Sequence, residues 1–172
     1  MSDKTHYDVY YYNTRGLCEP IRYILSYAGA SFNDHRNPLT SFNPLTPLPT
    51  EWSDRSTFGQ VPMLEFDGNR ITQSQAIVRY LARKYNLVGK NELEAAKCDE
   101  IVDGVKDYLT LWSPIWREED PEKRKVIIDA AKAKGDQRYL AKFNEIVEAN
   151  GGHLVGDGLT DSLLDPSSKQ LL

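Results

Sequence analysis

The chain has 172 residues, 40% apolar and 27% charged, which suits one large globular domain or two small ones. Its net charge of −4 argues against a nucleic-acid binder, which needs a basic patch or stripe. No apolar run approaches a membrane span, residues 1–5 lack the apolar core of a signal peptide, and Cys18 and Cys98 match neither a disulfide framework nor a metal site, so a reduced, cytoplasmic protein is expected.

Residues 7–12, Tyr-Asp-Val-Tyr-Tyr-Tyr, read as a strand with Tyr7, Val9 and Tyr11 on one face and Tyr10 and Tyr12 on the other. Asn13-Thr14-Arg15-Gly16 breaks it. A helix comes next, with Pro20 in its first turn, an apolar face of Ile21, Ile24, Leu25 and Ala28, and Gly29 at its end. Residues 31–36 read as a second strand. Residues 37–50 carry four prolines and no charge, which predicts an irregular loop.

Residues 58–74 read as loop, strand, turn, strand and helix start. Residues 63–66 and 69–72 are the strands, and Asp67-Gly68 between them is a two-residue hairpin turn that needs φ > 0 twice. Val61-Pro62 precedes the first strand, where a cis bond is expected. Such a bond would leave the Val61 N–H and C=O facing outward, open to an extended peptide. Ser74 is expected to cap a helix carrying Ile77, Leu81 and Tyr85, whose N-terminus suits a carboxylate. A backbone edge and an anion site thus lie within one small peptide's reach.

Residues 84–90 read as a linker, and from Glu92 the chain is helical. Ile101, Val105, Leu109 and Trp112, with Val102, Tyr108 and Ile115 beside them, form an apolar stripe. Asp99, Asp103 and Asp107 form an acidic one, read either as a solvated face or as a surface for something positive. Pro121 opens a further helix with Val126, Ile127, Ala130 and Ala131, then Tyr139, Leu140, Phe143, Ile146 and Val147. Gly135 is a candidate interruption, and Asn150-Gly151-Gly152 the end.

The order Phe58-Gly59-Gln60-Val61-Pro62, an Asp-Gly hairpin, then Gln73-Ser74-Gln75-Ala76-Ile77 and Arg79-Tyr80-Leu81 resembles the glutathione-binding half of the cytosolic glutathione transferases. The rest narrows this to a sigma-class-like relative, similar to the haematopoietic prostaglandin D synthases. The resemblance implies a thioredoxin-like α/β domain over residues 1–83 and an all-α domain over residues 90–172. It covers nearly all of residues 6–160. Beyond Thr160 the family has a capping box and a buried sixth helix. Here the box acid is replaced by Leu163, and Pro166 stops a helix early, so an incomplete second domain and a poorly ordered tail over 161–172 are expected.

The resemblance also implies roles. In the family's first loop, Tyr11-Tyr12-Asn13-Thr14-Arg15-Gly16 makes Tyr11 the catalytic tyrosine, with Tyr12 the alternative one register away. A phenol donates a hydrogen bond to a developing thiolate while being too weak an acid to ionise first. Gln73 and Ser74 match the pair holding the γ-glutamyl group. Gln60, Val61 and Pro62 match the stretch that pairs with the peptide. Trp52 and Arg55 match the indole and cation at the glycine end, though Trp52 also reads as a loop anchor. Asp107 matches the residue that reaches the glutathione amine of a partner in a homodimer. Thr14, Tyr108 and Trp112 are expected at the second-substrate site. Lys106 stands where some relatives have a metal-binding aspartate, so no metal is expected.

The first reading is therefore a glutathione transferase acting on small hydrophobic electrophiles, with prostaglandin isomerisation as one form of it. The partners expected are glutathione and such electrophiles, with no nucleic acid and no membrane. A second reading is a catalytically weak or inactive binding or structural relative. A third, a thioredoxin-type redox protein, is opposed by the absence of C-x-x-C.

Overall fold

The computed structural model describes residues 4–39 and 47–160. The tail expected at 161–172 and residues 40–46 of the expected proline-rich loop lie outside the described residues. The chain divides into two compact units, Met1–Leu87 and Val88–Leu172.

The first unit is a four-stranded sheet in the order β2-β1-β3-β4, built from β1 (His6–Tyr12), β2 (Ser31–Asn37), β3 (Met63–Phe66) and β4 (Asn69–Thr72). β2 runs parallel to β1, joined by α1 (Glu19–Tyr27), and β3 runs antiparallel to β1. α1 and α3 (Ser74–Lys84) pack together on the face that carries Tyr7, Val9 and Tyr11. Leu64 pairs with Val9 in register and shares that face. Tyr7, Val9, Leu64, Ile21, Ile77 and Leu81 are wholly buried there, each side chain contributing roughly 1.5–3 kcal/mol. On the other face Tyr10 and Met63, also paired in register, meet Trp52 of α2 (Thr50–Arg55).

Three local expectations hold. The Val61-Pro62 bond is cis; Asp67 and Gly68 have φ of 47° and 75°; and Pro20 lies in the first turn of α1. α2 begins at Thr50, the last residue of the expected loop, and covers residues to which no element was assigned. One expectation needs correcting. Ser74 does not cap its helix: Gln73 stands at the N-cap position, with φ 73° and ψ 112° and no side-chain cap bond, and Ser74 is already helical.

The second unit is helical, with α4 (Glu92–Trp112), α5 (Pro121–Gly135) and α6 (Ala141–Ala149). Asn91 accepts from the Glu94 N–H at 3.0 Å, and Glu94 reaches back to the Lys90 N–H at 2.7 Å. Together they satisfy two donors that the start of a helix leaves open. Asp120 caps α5 through the N–H groups of Glu122 and Lys123. The buried stripe of α4 is Cys98, Ile101, Val102, Val105 and Tyr108. Leu109 is 43% exposed and Val126 69% exposed, so neither joins the apolar face expected of it. Gly135 does not end the helical run. It lets Tyr108 come so close that a Cβ would stand 2.7 Å from the ring, and one π-helical turn, Asp136–Leu140, comes next.

Candidate functional site

The site begins where β1 ends. Tyr11 is 7% exposed and belongs to the inner face; Tyr12, one residue on, is half-buried and points the other way. The backbone turns sharply after Tyr12, and the Thr14 N–H donates to the Tyr12 carbonyl at 2.7 Å. A 3₁₀ turn, Gly16–Cys18, then leads into α1. This brings the Leu17 N–H to 3.2 Å from Tyr11 Oη, which accepts its hydrogen. Burial holds the Tyr11 phenol above its ordinary pKa, and the Leu17 amide opposes that rise. The group is therefore a neutral hydrogen-bond donor throughout the working pH range.

Cys18 lies in the same turn, wholly buried, and burial pushes its thiol up to about 12. It is an inert core thiol, which further weakens the redox reading.

Arg22 is a residue that sequence reasoning missed. Its side chain is 7% exposed. It donates to the Thr14 carbonyl at 2.8 Å, to Glu19 at 3.0 Å, and to both oxygens of Asp34 at 3.0 and 3.2 Å. The loop after β1 is thus tied to α1 and β2 by one guanidinium. The sequence signal was an arginine set among Ile21, Ile24 and Leu25, with an aspartate on the next strand.

The second part of the site is the 56–74 segment. The Ser56 hydroxyl donates to the Gln60 carbonyl at 2.6 Å and accepts from its N–H at 2.9 Å, closing the loop that carries Phe58. Among the described residues, no backbone hydrogen bond outside the helices and strands uses Val61. Gln73 is held in a sparsely populated backbone region, a cost that commonly marks a ligand-holding residue. Its side-chain amide reaches the side-chain oxygen of Gln60 at 3.4 Å, so these two candidates lie together. Ser74 is beside them in the first turn of α3, where open N–H groups and the helix dipole favour an anion.

Trp52 is 8% exposed, edge-on to Tyr10 at 5.2 Å, in one cluster with Met63 and with Val61 beside it. Its ring is an anchor on the sheet. Arg55 is not a spare cation. It forms an ion pair with Glu65, stacks over the Tyr10 ring at 5.1 Å, and shares Glu65 with Arg70. Sequence could not foresee this, because Glu65 comes alongside only through the β1–β3 pairing.

Thr14 lies in the loop after β1, with its carbonyl on Arg22. The remaining candidates belong to the helical unit. Asp107 is exposed on α4, on the side away from the buried stripe. Tyr108 is buried, with Tyr139 at 6.1 Å and Trp112 at 6.0 Å between ring centres. Among those residues no group of three or more His, Cys, Asp or Glu is placed to hold a metal, and no helix is long and apolar enough to cross a membrane.

A sheet of this order, a tyrosine at the end of its first strand and a cis-proline before its third define a thioredoxin-like domain followed by a helical region. Comparison with known proteins agrees. Residues 7–83 match the glutathione S-transferase N-terminal domain. The chain is 36% identical over 169 residues to a probable glutathione S-transferase 7 of Caenorhabditis elegans, covering 90% of this chain and 74% of that protein. Among solved structures it is similar to a prostaglandin synthase D of Nilaparvata lugens, with TM-score 0.80, 33% identity, and coverage of 92% of this chain and 76% of that one. It is also similar to a monomeric glutathione S-transferase of the hookworm Necator americanus, with TM-score 0.78 and 31% identity over 92% of this chain and 76% of that one. The chain belongs to the glutathione S-transferase family, and its fold and its enzyme class follow from that membership.

Proposed function

We propose that this chain is a sigma-class-like glutathione transferase whose Tyr11 activates the glutathione thiol. The Val61 backbone pairs with the cysteinyl part of the peptide beside Pro62. Gln60, Gln73, Ser74 and the N-terminus of α3 hold the γ-glutamyl end. Trp52 borders the glycine end, and Arg55 serves there as one half of its pair with Glu65. The thiol proton leaves to solvent, the Tyr11 hydroxyl donates to the resulting thiolate, and the sulfur displaces a leaving group from an electrophile. The products are the thioether and the released acid. Thr14, Tyr108 and Trp112 are assigned to the second substrate.

The observation that carries this reading is the fixed Tyr11 hydroxyl, buried at the start of α1 and bonded to the Leu17 amide. Calorimetry with glutathione, run beside turnover of 1-chloro-2,4-dinitrobenzene by the full chain, tests it. Binding together with turnover is expected. Binding without turnover would favour the second reading, a binding protein, which draws support from the sparse burial of the helical unit: α6 has no buried residue. A prostaglandin endoperoxide offered as substrate tests the finer activity, for which the likeness to a prostaglandin synthase D is the support. We assign the protein to a homodimer in the cytoplasm, acting in detoxification, with Asp107 reaching the partner's glutathione. Since one similar structure is monomeric, sedimentation decides the assembly.

A further inference from the structure

Glu65 stands between two guanidinium groups. On β3 it pairs in register with Asp8 of β1 on one side and with Arg70 of β4 on the other. Its side chain is 15% exposed, and its two oxygens have different partners: Arg55 Nη2 meets Oε2, and Arg70 Nε meets Oε1 at 2.5 Å. One carboxylate thus serves two cations, so neither guanidinium has its charge fully met. Arg55 is fixed from a second side as well. Its Nη2 donates to Tyr10 Oη at 3.3 Å, and its guanidinium lies over the Tyr10 ring. Both of its hydrogen bonds among the described residues use Nη2, which leaves the Nε and Nη1 hydrogens for another acceptor. The three residues line a cavity of about 270 Å³ that Asp8 and Asp67 also reach. Asp8 is taken up by His35 and Asn33, and Asp67 accepts from the Thr5 hydroxyl, so Glu65 is the acceptor that the two arginines share.

Resting on the transferase reading above, we propose that Arg70 is a positioning residue for glutathione: by holding one oxygen of Glu65 it keeps that carboxylate from gripping Arg55 with both, and so leaves Arg55 open to the glycine carboxylate of the peptide. A guanidinium takes a carboxylate most strongly through two parallel hydrogen bonds. With Arg70 in place, Glu65 meets Arg55 through one oxygen only. Without it, both oxygens are free to turn to Arg55, through Nη2 and a neighbouring nitrogen. The incoming carboxylate would then face a neutral pair in place of a group with positive charge to spare. Glu65 and Tyr10 set where Arg55 points, and Arg70 sets how much of its charge remains. Arg70 therefore acts through Glu65 and not on the peptide.

Arg70 lies on β4, an edge strand, with its side chain 41% exposed, so Arg70→Gln removes the charge with little loss of packing. Calorimetry on the full chain measures Kd for glutathione and for its glycinamide analogue, which lacks the negative charge at that end. Arg70→Gln should raise the glutathione Kd about three- to fivefold, the scale of a partly exposed ion pair. The analogue's Kd should stay within about 1.5-fold, because it forms no ion pair with Arg55. Arg70→Lys keeps a cation beside Glu65 and should recover most of the lost affinity. Glu65→Gln removes the competitor, so adding Arg70→Gln to it should change the glutathione Kd by less than about 1.5-fold. An Arg70 effect of equal size in both backgrounds would mean that its charge acts on glutathione directly, which overturns the positioning role. Equal weakening of glutathione and the analogue would mean a structural role only, and also overturns it. Should circular dichroism show that Glu65→Gln does not fold, the analogue comparison and the lysine rescue decide between the same outcomes. If the unaltered chain binds neither ligand, the transferase reading fails and this inference falls with it. If the unaltered chain binds glutathione and Arg70→Gln binds it equally well, this inference alone fails.

Discussion

The two units differ in how well each encloses its own core. In the first, a sheet is covered on both faces, by α1 and α3 on one side and by α2 on the other. In the second, three helices leave much of their apolar surface half-covered. Of the largest fully buried side chains among the described residues, only Cys98 belongs to the helical unit. Leu93, Leu109 and Val126 there are exposed, and a groove of about 600 Å³ opens over Ile101, Ile146, Leu154 and Val155. The residues proposed to activate and hold glutathione, Tyr11, Gln60 and Gln73, rest on the closed unit. Asp107, Tyr108 and Trp112 rest on the open one, where small changes in packing have fewer neighbours to resist them.

Breaking the Arg22 cluster should have the largest effect. Arg22→Met leaves the Thr14 carbonyl without its donor, and leaves Asp34 and Glu19 with only their more exposed partners, Arg36 and Arg15. It should cost about 3–5 kcal/mol, read as an earlier urea midpoint for the first unit. An unchanged midpoint would mean that the loop after β1 is held by something else. Next come paired truncations. Leu64→Ala in the closed unit should cost about 2–5 kcal/mol, and Ile146→Ala at the groove markedly less, since the site is already open on one side. Equal losses in the two variants would erase the contrast between the units.

Tyr11→Phe sharpens the functional side of the comparison. It should slow transfer by about 2–4 kcal/mol of transition-state stabilisation while leaving glutathione affinity nearly unchanged. Tyr12→Phe, on the opposite face, should be far milder in the same kinetic assay.

The smallest effect concerns acid. Hydrogen bonds from His35 and Asn33 hold the Asp8 carboxyl below its ordinary range. A carboxylate depressed in the folded state adds stability above its unfolded pKa of about 3.9 and loses it as pH falls through the lower, folded value. Asp8→Asn should therefore be slightly less stable at neutral pH. The gap should close as pH drops below about 4, which paired thermal melts would detect. A gap independent of pH would assign the loss to packing.

Much of this architecture is written in neighbouring residues. The alternation of Tyr7, Val9 and Tyr11, the Asp-Gly turn and the Val61-Pro62 bond are settled by steric preferences within two or three positions, and all three are legible before any fold is known. The same holds for α4, whose apolar stripe and Asn91–Glu94 start lie within its own sequence. Tertiary structure alone decided the rest. α2 comes after a proline-rich stretch and is held by Trp52 lying on Tyr10 and Met63, partners far off in the chain. Leu109 and Val126 have the spacing of core residues, yet a helical period says only which residues share a side, not whether anything covers it. Arg55 has the charge to hold a carboxylate, and strand pairing delivered Glu65 to it first. The Leu17 amide has no side-chain signature at all. Its meeting with Tyr11 exists because a left-handed glycine and a buried arginine bend one loop back over the end of a strand.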